Sequence, residues 1–181
     1  MNDRLLTTIN GWSGNQAIDA IMKFAAKDLI FVVFAVLALL AVQRLRQRRL
    51  AEVVTTGITL VLAFALGLAA AAVYPERRPF QTHRLHVLVS HAPGQSFPSD
   101  HATAAFAVAL AVWVFLSRRW GVVLVLVGGL IGFARVYDGI HYPGDILGSF
   151  VVAGLAVAIV VAAVRLPGSG RQGGGVVVAH A

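Results

Sequence analysis

His141 stands four residues before Asp145, with Pro143 and Gly144 between them, and Arg135 precedes the histidine by six. At that spacing a turn entering a helix brings the carboxylate back onto the imidazole, which fixes one ring nitrogen and leaves the other free to attack phosphorus. Arg135 lies near the end of an apolar run, where an unpaired charge is costly, and its planar fork suits phosphate oxygens. A second cluster, Pro98-Ser99-Asp100-His101, directly precedes an apolar segment, so Ser99 and Asp100 fall in the cap or first turn of a helix. The free N–H groups of that end attract anions, and His101 beside them offers a proton. Arg77-Arg78-Pro79 adds two more guanidiniums. A phosphate ester reaction needs cationic donors on the nonbridging oxygens, a nucleophile in line with the leaving oxygen and an acid to protonate it. Each need has a candidate here.

Taken singly, each cluster has a plainer reading. An Arg-Pro pair after an apolar segment anchors at a membrane interface. A histidine at a helix start is a cap or surface residue. His83, His86 and His91 sit in one polar interval without the spacing of a zinc or two-metal site, so they read as loop or substrate-rim residues and no metal is expected. Joint placement decides the matter, and that depends on the elements around the clusters.

Of the 181 residues, 58% are hydrophobic and only 13% charged, which is wrong for a soluble domain and predicts an all-α, polytopic membrane helix bundle. Residues 1 to 28 mix apolar and charged positions as an amphipathic interfacial helix does, with Trp12 at headgroup depth. Five spans follow: Leu29–Val42, Val53–Tyr74, Ala102–Leu116, Trp120–Val136 and Asp145–Val164. The first has 14 residues, short for roughly 30 Å of hydrocarbon, so it is expected to borrow Phe24–Asp28 as its outer end. Arg44, Arg46, Arg48 and Arg49 mark the turn before the second span as cytoplasmic, and Arg118 and Arg119 mark the next inner turn. The N-terminus and all three polar clusters then face outward.

The net charge of +7 is compatible with nucleic acid, but its concentration in the inner turns fits membrane orientation, so no nucleic-acid partner is expected. The absence of cysteine removes disulfide, iron–sulfur and thiol chemistry. No secretory leader is read, because no cleavage pattern follows the first apolar run. Residues 1–166 read as one membrane-embedded domain and the Gly-rich segment 167–181 as a flexible cytoplasmic tail. Gly128 with Gly132, and Gly144 with Gly148, read as close helix packing. The Ala, Val, Arg and Gly bias fits a bacterial source.

Together the three clusters, Arg78-Pro79, Pro98-Ser99-Asp100-His101 and Arg135-Val-Tyr-Asp-Gly-Ile-His141-Tyr-Pro-Gly-Asp145, resemble the signature of the type 2 phosphatidic acid phosphatase superfamily. The form Ser-Phe-Pro-Ser-Asp-His-Ala-Thr looks like its bacterial undecaprenyl-diphosphatases of the bacitracin-resistance type. The resemblance implies a lipid phosphatase domain that releases phosphate from undecaprenyl diphosphate at the outer face and so recycles the cell-wall carrier lipid for peptidoglycan. By the same resemblance His141 becomes a phosphohistidine, Asp145 orients it, and His101 protonates the departing lipid phosphate and then activates water. Arg77, Arg78, Ser99, Asp100 and Arg135 form the phosphate-binding set, with no cofactor and with membrane lipids as the other partners. Two positions depart from the family pattern: Ala71 stands where a lysine is usual, leaving Arg77 as its substitute, and Asp100 stands where glycine is common. The rivals are a broader phosphatase for phosphatidic acid or phosphatidylglycerol phosphate, and a polyprenyl phosphate binder or transporter without turnover. Oligomeric state is not read from the sequence.

Overall fold

The computed structural model describes residues 2–165, and the tail expected at 167–181 lies outside the described residues. Two short helices open the chain, α1 (Asn2–Asn10) and α2 (Gln16–Lys27). Then come α3 (Leu29–Arg46), α4 (Leu50–Val73), α5 (Asp100–Ala111, continued by a π turn over Val112–Leu116), α6 (Arg118–Tyr137) and α7 (Pro143–Arg165). No strand occurs among the described residues; a single antiparallel bridge joins Arg77 to Gln95.

Four helices, α3, α4, α6 and α7, are long and apolar enough to cross a membrane, and Asp100–Leu116 is a shorter apolar one. The protein is a polytopic membrane helix bundle. Its outward faces would be uncovered apolar surface in water: Leu39 is 72% exposed, Val61 72% and Leu147 69%. The short fifth segment, α5, is the centre of the bundle. It is apolar all round, buries almost every residue from Ala102 to Ala111, and packs against α3, α4, α6 and α7. Its alanines allow those neighbours to approach closely. The glycines read as packing residues act as such: a Cβ at Gly132 would meet Ile146, and one at Gly148 would meet the Phe97 ring.

Two expectations need correcting. The N-terminal amphipathic segment is two helices, interrupted at residues 11–15, with the Asn15 side chain accepting from the N–H groups of Ala17 and Ile18 to start the second. Nor does it merely lie on the surface, for Leu6 packs with Val136 and Tyr142, and Ala25 and Ala26 pack on Ala134. The first span does not borrow Phe24–Asp28. The Asp28 N–H bonds to the Phe24 carbonyl and closes α2, and α3 instead gains its length at the other end by running on to Arg46. Long arginine stems tolerate that extension because their heads reach water from the last turn.

Candidate active site

The α5 and α7 N-termini, the α6 C-terminus and the stretch 76–99 after α4 meet at the end of the bundle opposite the Arg44–Arg49 turn. His141 sits there in the turn between α6 and α7 and is 1% exposed. Its Nδ1 is 3.3 Å from Asp145 Oδ2 and 3.4 Å from Ser96 Oγ. Its Nε2 is 3.1 Å from a terminal nitrogen of Arg78 and 3.3 Å from one of Arg135. A guanidinium has donors and no acceptor, so Nε2 must be the accepting nitrogen and the proton must reside on Nδ1. The ring is therefore oriented with a lone pair directed at two cations.

Burial pushes the His141 imidazolium down to about 4, chiefly by desolvation; the Asp145 hydrogen bond opposes this, and the Arg135 and Arg78 charges reinforce it. The ring is neutral near pH 7, and its contact with Asp145 is a hydrogen bond from a neutral imidazole rather than an ion pair. Asp145 Oδ2 also accepts from the Tyr142 N–H at 2.7 Å and from the Ser96 hydroxyl, while Oδ1 is buried without a hydrogen-bond partner. Glu76 stands close by; its own burial and the Asp145 charge raise its pKa.

Arg135 is 3% exposed and donates at 3.0 Å to the Ala26 carbonyl in the last turn of α2, so the N-terminal helices help aim it. Arg78 is half-buried, and desolvation lowers its pKa. Ser99 is fully buried and caps α5, its Oγ 3.5 Å from the Ala102 N–H; its own N–H donates to Ser149 Oγ at 3.1 Å. His101, in the first turn of α5, is half-buried and within electrostatic reach of Arg135, His91 and Arg78. Asp100 is exposed and acts on Arg78 and Arg135. Arg77 is exposed, pairs through its backbone with Gln95, and has no hydrogen bond to His141. The structure thus gathers His141, Asp145, Arg78 and Arg135 in direct contact, sets Ser99, Asp100 and His101 beside them, and leaves Arg77 at the rim.

Among the loop histidines, His83 faces Asp3 at 3.6 Å and the His86 backbone is held by the Asn10 amide. His91 lies nearer the site, where burial and the Arg78 and Arg135 charges lower its pKa. Among the described residues no group of three His, Asp or Glu side chains is gathered as a metal would require. A cavity of about 190 Å³ opens beside the site between α3, α4 and α5. Its walls are apolar, including Phe34, Leu60, Phe64, Ala71 and Val108, and Asp100 is the charged residue lining it.

Three contributors have no role in the sequence reading. Ser96 heads the Ser-Phe-Pro-Ser-Asp-His-Ala-Thr stretch singled out there, without a part of its own. Ser149, four residues after Asp145, bonds back to the Asp145 carbonyl at 2.7 Å, which satisfies any helical serine and so carries no functional signal. The Ala26 carbonyl has no side-chain signature at all.

The chemistry this arrangement permits is attack by a neutral imidazole on an anion held between two guanidiniums. Comparison with known proteins gives the family. Residues 72–167 match the PAP2 superfamily. The chain is 39% identical to undecaprenyl-diphosphatase BcrC of Bacillus subtilis (strain 168) over 155 residues, 84% of this chain and 79% of that one. It is 36% identical to YbjG of Escherichia coli (strain K12) over 130 residues, 71% of this chain and 64% of that one. The crystal structure of Aquifex aeolicus LpxE shares the fold, with a TM-score of 0.73 at 22% identity over 89% of this chain and 94% of that one. By its matched residues and its relatives, this chain belongs to the PAP2 superfamily of phosphatases.

Proposed function

We propose that the protein hydrolyses undecaprenyl diphosphate to undecaprenyl phosphate and inorganic phosphate, without a metal, on the outer face of a bacterial cell membrane. The observation that carries the reading is the His141 ring, neutral and held by Asp145, with its Nε2 lone pair directed at Arg78 and Arg135. Nε2 attacks the terminal phosphorus, the bond to the bridging oxygen breaks, and His101, as the imidazolium that the bound anionic diphosphate favours, gives that oxygen its proton as undecaprenyl phosphate leaves. His101 then takes a proton from water, whose oxygen displaces Nε2 and frees phosphate. Asp145 balances the positive charge on the phosphorylated ring. Arg78, Arg135 and the N–H groups at the Ser99 cap hold the phosphoryl oxygens, with Arg77 at the rim. Asp100 contributes its N–H as part of that cap, and its side chain acts on the anion site through the charges of Arg78 and Arg135.

Two further observations support a polyprenyl substrate and the outward face. The apolar cavity beside Asp100 suits a hydrocarbon tail whose head lies at the helix ends. Among the described residues, Arg44, Arg46, Arg48, Arg49, Arg118, Arg119 and Arg165 lie at the end away from the site with Glu52 as the acid beside them, a basic excess of the kind the positive-inside rule requires of a cytoplasmic side.

Purified protein is expected to release phosphate from undecaprenyl diphosphate in EDTA, and His141→Ala to lose at least about a thousandfold in kcat. Full activity in His141→Ala, or loss in EDTA, refutes the mechanism. A panel containing phosphatidic acid and phosphatidylglycerol phosphate separates the polyprenyl substrate from a broader lipid specificity, and absence of turnover on every member would leave a binder or transporter. Cysteine placed at Gln81 is expected to react with an impermeant label in intact cells and cysteine at Gln47 is not; the reverse pattern overturns the orientation.

A further inference from the structure

Ser96 is fully buried, yet its hydroxyl meets two groups of the site, Asp145 Oδ2 and His141 Nδ1. Its position is fixed from both sides. The Ser96 N–H donates to the Glu76 carbonyl at 2.7 Å, the Arg78 N–H donates to the Gly94 carbonyl at 3.3 Å, and Arg77 pairs with Gln95 between them. This small ladder delivers Arg78 to one nitrogen of His141 and Ser96 to the other. Next in the chain, the Phe97 ring lies against Gly148 of α7 and edge-on to Tyr74 at 5.4 Å, which locks the ladder to the helix that carries Asp145.

A serine hydroxyl has one proton to give and lone pairs to receive with, and Asp145 Oδ2 can only accept. The Ser96 proton therefore goes to Asp145, and the Ser96 oxygen faces Nδ1 as a second acceptor. Because the 3.3 Å His141–Asp145 contact is long for a charge-assisted hydrogen bond, Asp145 alone holds the imidazole proton loosely. We infer that Ser96 is a positioning residue for His141, sharing the Nδ1 proton with Asp145 and so keeping Nε2 bare and aimed between Arg78 and Arg135. Ser96 touches no reacting atom; it sets the tilt of the ring that does, whose tautomer the two guanidiniums impose. The charged and titratable groups facing this triangle are Arg78, Arg135 and Glu76.

The inference rests on His141 being the nucleophile, and its test separates the two. In the full-length, detergent-solubilised enzyme on undecaprenyl diphosphate, Ser96→Ala is expected to lower kcat about tenfold, the loss of one positioning hydrogen bond, with KM within about twofold. Nitrogen-15 NMR of histidine-labelled protein at neutral pH, with the His141 signals identified by His141→Gln, should find the Nδ1–H tautomer in the wild type. Ser96→Ala should keep that tautomer, which the two guanidiniums impose, but shift the Nδ1 resonance as the proton passes to Asp145 alone. If that variant fails to accumulate folded, Ser96→Cys, close in shape and a poorer acceptor, is expected to behave the same way. Unchanged kcat overturns the inference. So does a loss of kcat with the His141 Nδ1 resonance unmoved, because that marks a purely structural residue. Activity in His141→Ala would instead sink the nucleophile itself, whereas an inactive His141→Ala beside an unaffected Ser96→Ala sinks only the role given to the serine.

Discussion

The two ends of the bundle both carry arginines, and they treat them in opposite ways. At the Arg44–Arg49 turn, Arg44 lies 3.4 Å and Arg49 3.0 Å from the carboxylate of Glu52, and Arg44 also donates to the Leu116 carbonyl that ends the π turn. Arg49 is exposed while Arg44 and Glu52 are partly buried, and an ion pair at such a helix end contributes about 0–1 kcal/mol. At the other end Arg135 is buried and Arg78 half-buried, and among the described residues neither makes a salt bridge. They face each other's charge across one imidazole nitrogen instead. Gathering two desolvated cations without a carboxylate is unfavourable for the fold alone, and it becomes favourable when an anion arrives. The contrast separates arginines that orient and solubilise a helix end from arginines arranged for a ligand.

The comparison breaks most easily at Arg135. Arg135→Lys keeps the charge but removes the fork that reaches both the Ala26 carbonyl and His141, and kcat/KM on undecaprenyl diphosphate should fall about a hundredfold to a thousandfold. Arg78→Lys, less buried and with one such contact, should cost about tenfold to a hundredfold. The same change at Arg49 should stay within about twofold, since a surface ion pair is indifferent to fork geometry. Equal losses at all three positions would abolish the distinction between the two ends.

Why some of this was legible in the sequence follows from the range over which each signal acts. His141 and Asp145 are one helical turn apart, so spacing alone brought them together, and Arg135 announced itself as a charge inside an apolar run. Arg78 needed its Pro79 and the joint order of the clusters. Hydropathy found the spans because lipid-facing and helix-facing side chains are both apolar. For that reason it could not tell that α5, the shortest, is the one wrapped by the others. Asn10 bonds the His86 backbone and the Tyr137 carbonyl, contacts 76 and 127 residues away, and nothing local to an asparagine at a helix end signals them. The break between α1 and α2 did have a local signal, the Gly11-Trp12-Ser13-Gly14 run with Asn15 as the next cap, whereas the docking of Leu6 and Ala26 depends on partners more than a hundred residues on.

The smallest expected effect is the most direct measure of the unpaired arginines, and it is read on His141 itself. The group lies in the turn between α6 and α7, its imidazolium pushed down to about 4 by burial and further by Arg135 and Arg78. Lowering the pH from 7 therefore leaves the ring neutral well below the range in which a free imidazole takes up its proton, and an NMR titration of His141 should find its midpoint near that lower value. Removing a neighbouring cation relieves the imidazolium, so Arg78→Gln should move the midpoint upward, by up to about one unit. Asp145→Asn works in the other direction, because the carboxylate favours the charged ring and its loss should lower the midpoint. Arg49→Gln, at the far end of the bundle, should leave it where it is. A downward move in Arg78→Gln, or an equal move in Arg49→Gln, would mean that the charge at position 78 does not act on the imidazole, and the buried pair of arginines would then have no more claim on the site than the pair that meets Glu52.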